Sequence, residues 1–570
     1  MKTLGRSLIP LLCLLLATPT LAQWPTNIRE NLPLSADSLI TRWPVALPYP
    51  NGGILAVFMQ CGMPAGIVYQ IIDRYGQLQF PEPQSFWPAL MGQYYAYCNM
   101  QAIPDGEGGA LIVWMAQDTT AAEFSHYAQR LDSLGNICWG DSASRVWVGH
   151  NGSWVVCLDG LGGFYLAGDP YYYVPNSLGL RVQHVGGDGQ PLWEDSGRVV
   201  TTFLADQREP RIAPDGFGGF YLVWDDHRPP YQYGGALFMQ RFDSEGVELW
   251  HPAGGRYFSN YSSTIEILPD GQHGLMLHGP TTTLMANNLY RVSPEGDALW
   301  MRTNVSYYNS AHMVAGEPGF FYIGFRFGGP TLEACGVYGQ RVDLDGRRYW
   351  FGQGLNRASA EFDRINFLWT ADDIAFAYRY PYFYGAYNFQ HYIQGGARTS
   401  YLHIQALDSL GIKKFGNRGV LISVLNGGPP EEIAVVHDLN VVADDSGGAA
   451  AVWCLESNQQ NNFHVFAKHV MADGSLGGPE PPSRAAAPSN LNQSLSVSQN
   501  LIRYELPGSG RVSLVLYNLL GQQVAVLEES ERVAGSYTVP LNLDHLPSGI
   551  YLLQLTTPAG AQTAKVAVVR

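Results

Sequence analysis

One phrase recurs along this chain and constrains its fold more than any other feature. PDGEGGALIVW begins at Pro104, LDGLGGFYLAG at Leu158, PDGFGGFYLVW at Pro214 and PDGQHGLMLHG at Pro269. The aspartates Asp105, Asp159, Asp215 and Asp270 stand 54, 56 and 55 residues apart. Fainter copies begin at Pro50, Gly316, Ala371 and Asp444, and a second phrase of the type FMQRFDSEGVELW follows each copy. A period near fifty built from short strands is the mark of a propeller or an array, because one such unit cannot bury both faces of its own sheet. The repeat counts to eight, with seven blades as the alternative.

Each unit reads as four strands, which in the third full copy are EPRIAP, GGFYLVW, ALFMQRFD and VELW. The Asp-Gly and Ser-x-Gly turns supply the positive φ that tight hairpins require. The recurrent tryptophans Trp139, Trp193, Trp250, Trp300 and Trp350 read as packing at the blade edge, since they keep one register from unit to unit. The last unit lacks its outer strand and its Trp, while the segment QWPTNIRENL from Gln23 resembles the text that follows a blade Trp. The expectation is that Trp24 and its neighbours complete the final blade from the other end of the chain. Such a closure would remove exposed sheet edges.

Composition agrees with short strands and turns: charged residues are 15%, with 64 Gly and 33 Tyr. The formal charge of −15 argues against nucleic acid as a partner. Residues 1–22 have a basic start (Lys2, Arg6), an apolar run from Leu8 to Ala17 and small Ala22 before Gln23, the pattern of a secretory signal peptide. No later stretch is apolar enough for a transmembrane segment. Without Cys13, six cysteines remain, enough to pair in an oxidising compartment or to stay as buried thiols, and they lack zinc-ligand spacing. Residues 23–478 are thus assigned to the repeats and 479–488 to a Pro/Ala linker.

Residues 489–570 read as a small all-β sandwich of Ig-like type. Arg503-Tyr504-Glu505-Leu506-Pro507, Val515 to Gln522, Ala534-Gly535, Leu546 to Tyr551 and Lys565 to Arg570 occur in order at the C-terminal end. This text closely resembles the type A C-terminal sorting domain of the bacterial type IX (Por) secretion system, although the usual Pro-Asn-Pro before the first strand is absent. The resemblance implies export across the outer membrane of a Bacteroidetes-like bacterium, with the secretion machinery as partner. It further implies removal of the tail and then release or surface attachment.

Function must be sought where the repeat breaks. The turn aspartates recur and read as turn-formers, with calcium ligation as the lesser option; no other cofactor and no metal is expected. Asp225-Asp226-His227-Arg228 does not recur, so Asp226, His227 and Arg228 are catalytic candidates. Asp225, Asp226 and Glu333 are the carboxylates a glycosidase would have to draw on. Adjacent Asp225 and Asp226 should point to opposite faces of their strand. Tyr171, Tyr172, Tyr173, Tyr231, Tyr233, Tyr382, Tyr384, Tyr387 and Tyr392 are expected on loops of one face, as a ligand-binding rim or as self-packing. The sequence contains no nucleophile elbow, HExxH helix or phosphate loop. The reading is a secreted or cell-surface propeller for binding or adhesion to glycan or protein. An extracellular polysaccharide hydrolase or lyase, and a structural protein without a ligand, are the alternatives.

Overall fold

In the computed structural model the chain forms two compact units, Met1–Pro479 and Glu480–Arg570. The structure describes residues 23–35, 40–61, 66–86, 94–95, 100–118, 123–140, 143–148, 152–169, 179–200, 207–228, 235–250, 256–259, 265–280, 287–306, 311–327, 336–350, 360–364, 371–392, 398–426, 434–457, 462–479, 495–498, 501–506, 510–518, 523–533, 535–541, 549–557 and 560–568. Residues 1–22, expected as a signal peptide, residues 480–488 of the expected linker, Cys98 and Cys335 lie outside these residues.

The first unit is an eight-bladed β-propeller. Each blade is an antiparallel sheet whose first strand is innermost, and consecutive first strands touch all the way round, including Ala434–Ala443 of blade 8 against Ile40–Tyr49 of blade 1. Eight sheets close the ring, which resolves the count. Blade 4 shows the plan: Gln207–Pro214, Phe220–Asp226, Ala236–Phe242 and Arg256–Ser259. Blade 5 is Glu266–Pro269, Leu275–Pro280, Asn287–Val292 and Ala298–Ser306.

The repeated phrase is the turn joining the first two strands. The Asp215 carboxylate accepts the backbone N–H groups of Phe217 and Gly219 at 2.8 and 2.9 Å, as Asp105, Asp159, Asp270 and Asp444 do at the same place in their blades. Its other oxygen receives Arg241 Nε at 2.9 Å. Equivalent struts are Asp105–Arg130, Asp159–His184, Asp270–Arg291, Glu317–Arg341 and Asp444–His469. The last glycine of the phrase is required by space: a Cβ on Gly219 would lie 2.1 Å from the carbonyl oxygen of Phe242.

The fourth strand departs from expectation. Val247–Trp250 is not the outer strand; Glu248 makes one bridge to Phe242, and the outer strand is Arg256–Ser259 beyond the Trp. A buried glutamine causes this. Gln240 Oε1 accepts the N–H groups of both Arg241 and Trp250, and its Nε2 donates to Trp250 O, so the chain is drawn back onto the sheet. Gln70, Gln129, Gln183, Gln340 and Gln405 make the same clamp, and all six are fully buried. The indole N–H then crosses to the next blade: Trp139 to Gly187 O, Trp250 to Pro294 O, Trp300 to Leu344 O and Trp350 to Ser409 O.

The expected closure is present and more specific than the sequence indicated. The outer strand of blade 8 is Leu32–Pro33, antiparallel to Asn462–Val470. Trp24 itself is not in that strand. It replaces the missing blade Trp, is buried, stacks on His469 at 5.3 Å and donates to Arg74 O in blade 1. Lys468 stands where other blades have the glutamine, and its ammonium donates to Asn27 O and Glu30 O at 2.5 Å each.

The second unit is a sandwich of two sheets, Leu495–Ser498, Leu501–Leu506 and Gly535–Pro540 against Gln523–Arg532, Gly510–Asn518, Gly549–Thr557 and Gly560–Val568. Ile502, Tyr504, Leu514, Leu516, Leu553 and Leu555 fill the space between them.

Candidate functional site

First-strand starts and second-strand ends share one face of the ring, opposite the Asp-Gly turns. Asp225, Asp226, His227 and Arg228 fall on this face, at the end of the second strand of blade 4. As expected, the two aspartates diverge. Asp226 is fully buried and accepts Gln207 Nε2 and Trp224 Nε1 at 2.9 Å, together with the Arg228 backbone N–H, Nε and Nη2. Burial opposes its charge, but the donors from Arg228, Trp224 and Gln207 prevail and hold its carboxyl below the ordinary range. Arg228 also lies over the Phe238 ring at 4.1 Å. This arrangement fixes the end of a strand. It leaves Asp226 neither a proton to give nor an open lone pair with which to take one. Asp225 points the other way and meets His227 Nε2 at 3.1 Å, both partly exposed.

The tyrosines divide differently from expectation. Tyr382, Tyr384 and Tyr387 lie on the second strand of blade 7, Tyr382–Tyr392, not on a loop. Ala371–Arg379, expected as a second strand, is the first strand of that blade. Tyr384 and Tyr387 are buried, and Tyr387 donates to Arg418 O at 2.9 Å. Tyr382 lies 3.9 Å beneath the Lys414 ammonium. These three belong to blade packing; their alternation with Gly385 and Ala386 is that of a sheet covered on both faces. Tyr392 ends the strand. Tyr171, Tyr172, Tyr173, Tyr231, Tyr233 and Glu333 lie outside the described residues.

Sequence reasoning missed the polar pairs on the same face. Glu266 of blade 5 meets His312 of blade 6 at 2.9 Å, and Glu456 meets His437 within blade 8 at 2.8 Å. Asp169, at the end of the second strand of blade 3, accepts the N–H of Glu209 in blade 4. Burial pushes its carboxyl up to about 6. Three first strands bulge here and hold a non-glycine residue at positive φ: Trp43 at 51°, Glu209 at 49° and Asp438 at 53°. Such bulges carry local strain and re-aim side chains, and they concentrate at rims and sites. The signal available in the sequence was the loss of apolar alternation at RWPV, REPR and HDLN.

Among the described residues no group of three or more His, Cys, Asp or Glu is arranged to hold a metal ion. Among the described residues Cys138, Cys157 and Cys454 are free thiols. Burial pushes the Cys454 thiol up to about 12, and it donates to Thr41 O.

Residues 491–569 match the family described as a secretion system C-terminal sorting domain. The tail is a type IX sorting domain. It marks the chain for export across the outer membrane, to the cell surface or the extracellular space. No helix among the described residues is long and apolar enough to cross a membrane. No curated protein matches the sequence. Solved structures similar in fold include a puromycin hydrolase, 16% identical over 76% of this chain and 61% of that one, with a TM-score of 0.38. A protein of unknown function from Dyadobacter fermentans is 10% identical over 79% and 99%, at 0.33. An alpha-L-arabinanase of Penicillium chrysogenum, complexed with arabinobiose, is 10% identical over 79% and 100%, at 0.30. This chain thus spans about three fifths of the puromycin hydrolase, and at these scores no activity is carried over.

Proposed function

We propose that the propeller is a non-enzymatic binding module, exported to act outside the cell, that takes a glycan or protein ligand at the ring mouth opposite the Asp-Gly turns. One observation carries this reading. The polar groups that repeat from blade to blade form struts at the turn face, whereas Asp225–His227, Glu266–His312 and Glu456–His437 do not repeat and all stand at the other face. Paired carboxylate and imidazole groups offer directional hydrogen bonds to hydroxyls or backbone amides. Saturation of Asp226 by its own neighbours supports binding over hydrolysis at the one site where the sequence suggested catalysis.

The test is a glycan and peptide array probed with the mature protein, with Asp225→Asn/His437→Ala against Glu107→Ala on the turn face as control. Signal lost only in the first variant supports the reading. Equal signal in both, or turnover of a polysaccharide that ceases with Asp226→Asn in a folded protein, overturns it.

A further inference from the structure

Two strained bulges face each other where the ring closes. In blade 1 the pairing of the first two strands shifts register between Arg42 and Val45, and Trp43 is held at φ 51°. In blade 8 the same pairing shifts between His437 and Asn440, and Asp438 is held at φ 53°. A bulky residue at positive φ persists only where its surroundings hold it there. These two bulges hold one another: Asn440 Nδ2 donates to Pro44 O at 2.8 Å, and the Trp43 N–H donates to the Asp438 carboxyl. Closure itself is secured elsewhere, by Trp24 and by Leu32–Pro33.

The bulges present an arginine that nothing engages. On the same face Arg228 is saturated by Asp226, and Arg211 donates to the carbonyl oxygens of Ile265 and Pro210. Among the described residues Arg42 has neither a hydrogen bond nor an ion pair, and its Nε is buried without a partner. Its guanidinium lies 3.4 Å from the centre of the Phe463 ring and 5.8 Å from that of Trp43. A guanidinium stacked on a ring keeps its in-plane donors for a ligand. Acceptors stand close by and open to solvent. Asp438 is exposed, and the paired Glu456 and His437 are 32% and 41% exposed, with His437 6.0 Å from the same Phe463 ring.

The charges decide the occupant. Asp438 and Glu456 repel an acid placed on Arg42, as does the formal charge of −15 on the chain, and Arg42 repels a basic group placed on them. An uncharged ligand whose polar groups each donate and accept meets neither repulsion, and saccharide hydroxyls are such groups. Vicinal hydroxyls also set two oxygens side by side, as the terminal nitrogens of one guanidinium are set, whereas a peptide backbone has no paired oxygens. The half-buried Trp43 adds an aromatic ring for the apolar side of a sugar.

We propose that Arg42, Trp43, His437, Asp438 and Glu456 form a subsite for a neutral saccharide at the joint of blades 1 and 8. The Arg42 fork takes two vicinal oxygens, and Asp438 and Glu456 accept the hydroxyl protons. The subsite rests on the reading of the ring mouth as a binding site and narrows its ligand to an uncharged glycan.

The test applies the full mature protein to one array of uncharged oligosaccharides of glucose, galactose, mannose and xylose, with oligogalacturonate, oligoglucosamine, and aspartate-rich and lysine-rich peptides. The expected result is binding to a neutral oligosaccharide and to none of the charged probes. Adding that sugar to the unvaried protein should slow amide exchange over 40–45 and 435–440. Arg42→Lys keeps the charge but loses the fork, and should raise Kd about tenfold, the loss of roughly one charged hydrogen bond. Binding confined to charged probes overturns the proposal, as does a bound neutral sugar that leaves exchange over both segments unchanged. A sugar lost with Asp225→Asn but held equally by Arg42→Lys overturns the subsite and leaves the mouth as a binding site. If no probe binds, both fall.

Discussion

The indole N–H of Trp24 donates to the carbonyl oxygen of Arg74, 3.2 Å away and 50 residues along the chain. Four blade tryptophans make this bond from one blade to the next, and Trp24 makes it across the joint where the ring closes. Trp24 lies in one core cluster with Ile54, Phe58 and Val68 of blade 1 and Val452 and Val465 of blade 8. Trp24→Ala should therefore cost about 3–5 kcal/mol, as for other large-to-small core changes, and should loosen blades 1 and 8 before the rest. A thermal melt with hydrogen exchange resolved by blade checks this. Uniform exchange in the variant would place the closure elsewhere.

Gln240 satisfies two N–H groups and one carbonyl with a single side chain. Gln240→Leu keeps the bulk but leaves those groups buried without partners, at about 1–3 kcal/mol for each one orphaned. The denaturant midpoint should fall by more than for Tyr290→Leu at the equivalent place in blade 5. Equal losses would mean that the clamp contributes little.

Asp226→Asn separates architecture from chemistry at the phrase that looked most catalytic. It strips the buried Arg228 of its counter-charge, and breaking such a pair from one side costs about 3–5 kcal/mol. The expected result is a large drop in stability, while ligand binding at the ring mouth is retained at temperatures where the variant is folded. Binding lost in a variant of unchanged stability would return Asp226 to the functional site.

How much of this was legible beforehand follows from what repeats. The Asp-Gly turns, the blade tryptophans and the N-terminal completion of the last blade could be read because each recurs, or is conspicuously missing, at a fixed register. The glutamine clamp also recurs, in IVYQII, HYAQRL, FMQRF and YGQRV, but a glutamine in a strand has no chemical signature that sets it apart from a surface residue. Without the clamp, VELW looks like an outer strand. Tyr384 and Tyr387 were misplaced for a related reason: in ADDIAFAYRYPYFYGAYNF both segments alternate, so periodicity alone does not say which strand is innermost. The pairs Glu266–His312 and Glu456–His437 join residues 46 and 19 apart. Only the ring geometry brings the first across two blades, and only the hairpin brings the second together.

Asp169 gives a prediction in pH. Burial raises its carboxyl to about 6 in the folded protein, above the ordinary value near 3.8 of an exposed aspartate. Between those values the folded state holds more protons than the unfolded chain, so stability falls as pH rises through this window and the loss is complete above it. Two units correspond to about 3 kcal/mol at neutral pH. Asp169→Asn keeps an acceptor for the Glu209 N–H and removes the buried charge. It should raise the melting temperature at pH 7 and leave it nearly unchanged at pH 4, where the aspartate is already protonated in the fold. The check is a series of thermal melts from pH 4 to pH 7 on both proteins. Parallel curves would show that Asp169 is charged throughout, with its burial offset by a cation such as Arg208.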